Sequence, residues 1–179
     1  MRRPQCTHLA TKLPSSKRRR QAFTLIELLI TAAVMVIVAA IALPSVQVNG
    51  KVRVIAASNL FASDLEYAQS LSLSAPGDPA LVRVAADGSG YWVARKSAPN
   101  TPILRPEANQ LYQVVFGVGD ARQLADVIIT KLSPAATDVQ FDEFGRLSTS
   151  EMGDYLLSAG GKSLRVKVSA TTGATTVVY

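Results

Sequence analysis

The stretch KRRRQAFTLIELLITAAVMVIVAAIALP, residues 17–44, decides how this chain is organised. Four consecutive basic residues precede an apolar run, residues 22–43, that contains a single charged residue, Glu27. At about 1.5 Å per helical residue, positions 23–43 would span roughly 30 Å, the thickness of the hydrocarbon core of a bilayer. The pattern predicts a membrane-spanning helix, and the basic block predicts that the N-terminus lies in the cytoplasm.

A signal peptide or a plain single-pass anchor is the simplest interpretation of such a segment. The apolar core of a signal peptide has about 7 to 15 residues and is followed by a small-residue cleavage site. Here the apolar run is longer, and its small-residue junction, Gln21-Ala22-Phe23, comes before the run. A cut at this junction would therefore remove the basic leader and keep the helix.

Glu27 lies one turn inside the apolar run. A carboxylate at the centre of a bilayer costs about 2.5 to 3.5 kcal/mol, and such charges are usually paired. Either the side chain of Glu27 reaches back to the membrane interface, or it meets a cation. A cut before Phe23 would supply that cation as a new α-amino group, in the same chain or in a neighbouring subunit.

The segment Phe23-Thr24-Leu25-Ile26-Glu27-Leu28-Leu29-Ile30 after a basic leader resembles the class III signal of type IV pilins and of the pseudopilins of type II secretion. The resemblance implies that a prepilin peptidase cuts between Ala22 and Phe23, that Phe23 becomes N-methylated, and that Glu27 aligns subunits in a filament. The implied partners are this peptidase, other pilin or pseudopilin subunits and the inner membrane. Ala22 stands where the family usually has Gly, which predicts slower processing.

The charge of the chain is concentrated in the leader. Residues 1–22 hold seven of the 19 Lys and Arg side chains and none of the 13 acidic ones, so the remainder has 12 basic and 13 acidic side chains. The basicity is therefore a topology signal, and nucleic acid is not expected as a partner. The leader also holds the only cysteine, Cys6, and the only histidine, His8. Because thiol and imidazole chemistry would leave with it, we predict no enzyme activity, no cofactor and no metal site.

Beyond the membrane segment, apolar residues recur at helical spacing through Val54, Phe61 and Leu65. The pattern predicts one helix over residues 23–74, kinked at Pro44, with this stripe packed on a folded head. The opposite, polar face is expected to carry five residues: Lys51, Arg53, Asp64, Glu66 and Gln69.

From Ala80 onward the periodicity changes to two, which indicates strands. Asp87-Gly88-Ser89-Gly90 predicts a hairpin turn, and residues 97–107, rich in proline, are expected to form an irregular loop. The predicted strands are residues 80–86, 91–96, 111–117, 126–130, 139–142, 155–159, 164–169 and 175–178. The expected fold is α+β, a long N-terminal helix packed on an antiparallel sheet, with a removed leader (1–22), a membrane part (23–48) and an amphipathic helix with its head (49–179).

A second motif indicates one branch of this family. Phe141-Asp142-Glu143-Phe144-Gly145-Arg146, followed by strands and a Thr172-Gly173 turn, resembles the C-terminal half of GspH/FimT-type minor pseudopilins. The alternative is an ordinary glycine turn after a strand, with Arg146 solvated or paired.

Three functions remain open from the sequence. The favoured one is a minor pseudopilin or pilin of a type II secretion or type IV pilus machine, placed near the filament tip by the resemblance. The alternative is a DNA-binding minor pilin for DNA uptake, whose contacts would be Lys162, Arg165 and Lys167 on one predicted strand. A membrane-tethered enzyme is disfavoured because the chain after the leader lacks His and Cys.

Overall fold

The computed structural model describes residues 24–42, 50–106, 108–133 and 138–179. Internal contacts divide the chain into two units, residues 1–46 and residues 47–179. The described part of the first unit is one helix, α1 (Leu25–Ala42). The second unit begins with helix α2 (Gly50–Ser74) and continues with β1 (Ala80–Val84), β2 (Gly90–Arg95), β3 (Ala98–Pro102), β4 (Gln113–Val115), a 3-10 helix (Gly119–Leu124), β5 (Ile128–Ser133), β6 (Asp138–Gln140), β7 (Gly153–Ala159), β8 (Lys162–Val168) and β9 (Thr175–Val178).

Helix α2 buries the apolar stripe that its sequence predicts. Val54, Phe61 and Leu65 are at most 1% exposed, and Ala57 and Ala68 on the same stripe are fully buried. The spacing of three and four residues places these side chains on one face of the helix. The predicted continuity of α1 and α2, and the predicted kink at Pro44, fall on residues 43–49, which lie outside the described residues.

The strands of the second unit form two antiparallel sheets. The first sheet has the order β3-β2-β1-β6, and β4 also pairs with β2. The second has the order β5-β7-β8-β9. The predicted hairpin is confirmed, since β1 and β2 pair in register from Ala80 opposite Arg95 to Val84 opposite Tyr91.

The prediction of an irregular loop over residues 97–107 is wrong at its start. Ala98–Pro102 is strand β3, paired with β2 at the edge of the first sheet. Proline is tolerated on an edge strand because its missing N–H would not be needed for the ladder. The indole of Trp92 donates a hydrogen bond to the carbonyl of Pro99 at 3.1 Å and holds this segment against β2.

Phe61 lies where α2 meets both sheets. Helix α2 contacts β1 of the first sheet and β7, β8 and β9 of the second. The ring of Phe61 is 4.9 Å from that of Tyr91 in the first sheet and 5.4 Å from that of Tyr155 in the second, edge to face in both cases. The fold is thus α+β as predicted, with one helix covering two sheets in place of the single sheet expected.

Candidate functional site

Glu27, the residue with a predicted assembly role, lies in the first turn of α1. The carbonyl of Thr24 accepts hydrogen bonds from the backbone N–H groups of Glu27 at 3.1 Å and Leu28 at 3.2 Å. The Thr24 hydroxyl also accepts from the N–H of Glu27, at 3.3 Å. Thr24 therefore caps the helix, and the Glu27 carboxylate is not needed for that cap. Ala22 and Phe23, the predicted cleavage site, lie outside the described residues.

The side chains of residues 25–39 of α1 are exposed on every side of the helix within its own unit. Among these described residues of α1, ten large apolar side chains are more than half exposed: those of Leu25, Ile26, Leu28, Leu29, Ile30, Val34, Met35, Val36, Ile37 and Val38. A helix that is apolar all round needs apolar surroundings. In the part of the chain that the structure describes, no helix is both long and apolar enough to cross a membrane. The predicted membrane part, residues 23–48, extends past both ends of α1, to positions outside the described ranges.

A buried carboxylate, Asp64, joins α2 to the first sheet. Asp64 is only 5% exposed, so its predicted place on the polar face of the helix is wrong. One carboxylate oxygen accepts a hydrogen bond from the Tyr91 hydroxyl at 2.6 Å, and the other accepts one from Tyr112 at 2.9 Å. The sequence spacing could have predicted this burial, because Asp64 follows Phe61 by three residues and Ala57 by seven and therefore lies on the same face of the helix.

Burial dominates the electrostatics of this cluster. Desolvation raises the pKa of Asp64, and the two tyrosine hydroxyls and the charge of Arg105 oppose that rise. The pKa of Tyr91 is raised well above its ordinary value, first by burial and then by the Asp64 charge. The pKa of Tyr112 is raised by the same two causes in the same order. Both tyrosines therefore remain hydrogen-bond donors, and the arrangement works as a clamp between helix and sheet.

Arg105 closes the outer side of this cluster. Its guanidinium lies 4.8 Å from the centre of the Tyr112 ring and 3.4 Å from the carboxylate of Asp120. The ring of Tyr67 stacks on the Tyr112 ring, with the two ring centres 5.2 Å apart. Tyr112 thus contacts Asp64, Tyr67 and Arg105, which is the pattern of a structural cluster.

The turn that carries the second sequence motif is organised by Asp142. One of its oxygens accepts the backbone N–H groups of Phe144 and Arg146, at 2.9 and 2.8 Å, and the other pairs with the Arg146 guanidinium at 2.9 Å. Although partial burial opposes it, the hydrogen bonds from Arg146 and Phe144 lower the pKa of Asp142. Gly145 has φ +73°, which explains the glycine. Arg146 is thus a paired charge that holds the turn.

The three basic residues of the predicted DNA-contact strip all lie on β8, but they do not share a face. Arg165 and Lys167 are two residues apart and project to one side, whereas Lys162 is three residues from Arg165 and projects to the other. Arg165 lies 3.4 Å from the carboxylate of Asp154 on the neighbouring strand, and Lys167 is directly opposite Asp154 in the register. The strip is thus reduced to two cations beside one carboxylate.

Metal ligands do not cluster in the described ranges. Among residues 24–42, 50–106, 108–133 and 138–179, no group of three or more His, Cys, Asp or Glu side chains is placed to hold an ion.

Comparison with known proteins gives two findings. Residues 17–43 match the family model described as the prokaryotic N-terminal methylation motif. The fold is similar to that of the type IV minor pilin FimU of Pseudomonas aeruginosa PAO1 in crystals of space group P21, with a TM-score of 0.50 and 16% identity over 70% of this chain and 88% of that one. The P65 crystal form of FimU gives a TM-score of 0.49 and 16% identity over 69% and 91% of the two chains. No curated protein matches the sequence. At 16% identity the likeness to FimU shows a shared fold.

Proposed function

We propose, from the premise that this chain is a type IV pilin-like protein, that it is a minor pilin or pseudopilin subunit of a type IV pilus or type II secretion machine. The observation that carries the proposal is the N-terminal methylation motif at residues 17–43, joined to a head of the α+β pilin type. In this role the chain works by assembly and not by catalysis. The side-chain clusters around Asp64 and Asp142 support that role, because both are occupied by contacts within the head.

The proposed site of processing is the bond between Ala22 and Phe23. A prepilin peptidase would remove the basic leader there and methylate the new N-terminus at Phe23. The leader carries the cytoplasmic topology signal, so α1 would stay in the inner membrane and the head would lie on the extracytoplasmic side. Mass spectrometry of the protein from membranes tests this proposal, and we expect a chain that begins with N-methylated Phe23. An intact Met1 terminus, or a cut after Leu43, would contradict it.

Ala22→Gly is the informative variant for this step. Since the family usually has Gly before the cut, we expect the variant to be processed faster than the wild-type chain in a pulse-chase experiment. Equal rates would show that the extra methyl group of Ala22 does not hinder the peptidase.

The proposed role of Glu27 is to align the subunit during assembly. The cap at the start of α1 uses the backbone N–H of Glu27, so replacing the carboxylate leaves the first turn intact. Glu27→Leu removes an intramembrane charge and should insert into the membrane at least as well as the wild type. We expect less Glu27→Leu protein in sheared filaments than wild-type protein at equal membrane levels.

Glu27→Gln is the matched control, because it keeps the size of the side chain and one acceptor oxygen while it removes the charge. If alignment depends on pairing with the α-amino group of Phe23, both variants should be depleted from filaments. Normal incorporation of both variants would mean that Glu27 only reaches to the membrane interface.

A further inference from the structure

The outer edge of β9 is an open strand edge. Strand β9 comes last in the order β5-β7-β8-β9, and its register with β8 is regular from Thr175 to Val178. The strand contains no charge and no proline. Such edges act as templates for pairing with another chain, and proteins usually block them with prolines, charges, bulges or short strands.

Each of the other outer strands in the described sheets has at least one feature that hinders pairing with another chain. Strand β3 contains Pro99 and Pro102. Strand β5 carries Lys131 and an irregular register with β7 next to it. Strands β4 and β6 have three residues each. Among the described strands, β9 is therefore the edge best suited to accept another strand.

The register shows which backbone groups of β9 point outward. The N–H of Ser169 donates to the carbonyl of Ala174 at 2.9 Å, where the hairpin closes around Gly173. Hydrogen-bonded pairs alternate along an antiparallel ladder, so Thr176 and Val178 bond to β8, while Thr175 and Val177 direct their N–H and C=O groups away from it. Among the backbone–backbone hydrogen bonds of the described residues, none involves the outward groups of Thr175 and Val177.

We propose that β9 pairs antiparallel with β9 of a second copy of this chain, about a two-fold axis at Val177. This register places Val177 opposite Val177 and Thr175 opposite Tyr179. Every residue with outward backbone groups then faces another such residue, as the hydrogen-bonded pairs of an antiparallel ladder require. Two four-stranded sheets become one continuous sheet of eight strands. The contact uses the same surface on both copies, as a closed dimer requires.

Charge does not oppose this pairing. The cations of β8 that lie opposite β9 in the register are Arg165, opposite Val178, and Lys167, opposite Thr176, and three strand spacings would separate the two copies of β8. At about 4.8 Å per spacing the separation is roughly 14 Å, beyond the screening length of about 8 Å at physiological ionic strength. Asp154 also lies 3.4 Å from Arg165 within each copy. The side chains of the residues that would meet, 175–179, are uncharged on both sides.

The first test measures the mass of the full-length chain in detergent by light scattering over about 1 to 100 µM, the range suited to a small interface. Val177→Pro removes one outward N–H and leaves the pairs that Thr176 and Val178 make with β8. Val177→Thr is the matched control, because it keeps the β-branched shape and the N–H. We expect the wild type and Val177→Thr to dimerise, and Val177→Pro to raise the dissociation constant at least about tenfold. A monomeric wild type, or equal dimerisation of all three proteins, would overturn the proposal.

The second test does not depend on whether Val177→Pro folds. In a Cys6→Ser background, which removes the only native cysteine, Val177→Cys places two cysteines opposite each other across the two-fold axis. Their Cα atoms would be about 5.5 Å apart, a distance that a disulfide spans. Ser163→Cys on β8 is the control, since its symmetric distance is too long for a disulfide. We expect an oxidised dimer from Val177→Cys alone. Cross-linking of neither variant or of both equally, or a link from position 177 to a different protein, would rule out this dimer.

Discussion

Replacing Phe61 by alanine should remove the contact that joins both sheets to α2. Phe61 is fully buried, and its ring packs edge to face on Tyr91 at 4.9 Å and on Tyr155 at 5.4 Å. A buried Phe→Ala change costs about 3 to 5 kcal/mol, which includes the cavity that it leaves. The value here should lie in the upper half of that range, about 4 to 5 kcal/mol, because the void would open between three elements that cannot all close on it.

The variant Phe61→Leu separates the free energy contributed by the ring contacts from the free-energy cost of the cavity. Leucine fills most of the space but makes neither aromatic pair. Each pair contributes about 0.5 to 1.5 kcal/mol beyond its buried area, so the two together predict a loss of about 1 to 3 kcal/mol. The difference between the Ala and Leu variants then measures the cavity.

Urea unfolding of residues 47–179, the second unit of the chain, is the assay. With a slope of about 2 kcal/mol per molar, a loss of 4 kcal/mol lowers the unfolding midpoint by about 2 M. Far-UV circular dichroism follows the helix, and the near-UV signal follows the tyrosines. A Phe61→Ala cost below about 1 kcal/mol would refute the docking of α2 on both sheets. Loss of α2 while the strands persist would refute it as well.

Three further predictions concern the head. Burial raises the folded-state pKa of Asp64, so its contribution to stability is complete below its unfolded pKa of about 4 and is lost as the pH rises through the folded-state pKa. The free energy of unfolding of the wild type relative to Asp64→Asn should therefore fall as the pH rises above about 4, and a difference that stays constant with pH would contradict this. Gly145→Ala should cost about 1 to 2 kcal/mol in urea unfolding, since Gly145 has φ +73° and close side-chain neighbours, whereas Gly77→Ala, with nothing near, should be almost neutral. The head should show no salt-dependent binding to duplex DNA in an anisotropy titration; a clear salt slope, worth about three phosphates and lost in a triple alanine variant, would favour the DNA-uptake function instead. The residues changed in that variant are Lys162, Arg165 and Lys167.

The sequence by itself determined the features that depend on local pattern. The basic leader, the apolar run and Glu27 form a contiguous signal, which the match to the methylation motif supports. The stripe through Phe61 and Leu65 and the hairpin at Gly88 follow from helix periodicity and turn chemistry, and both are present in the structure. These features were predictable because the residues that define them lie within a few positions of one another.

Only the tertiary structure decided the features that need distant partners. Asp64 has the composition of a surface residue, and its burial depends on Tyr91 and Tyr112, 27 and 48 residues away. Pro99 and Pro102 belong to a strand because the edge of β2 is open to them, which local propensity cannot indicate. The division into two sheets, and with it the open edge of β9, likewise depends on which strands meet after the chain has folded around α2. Long-range pairing leaves no local pattern, because its free energy comes from contacts between segments that are far apart in the chain.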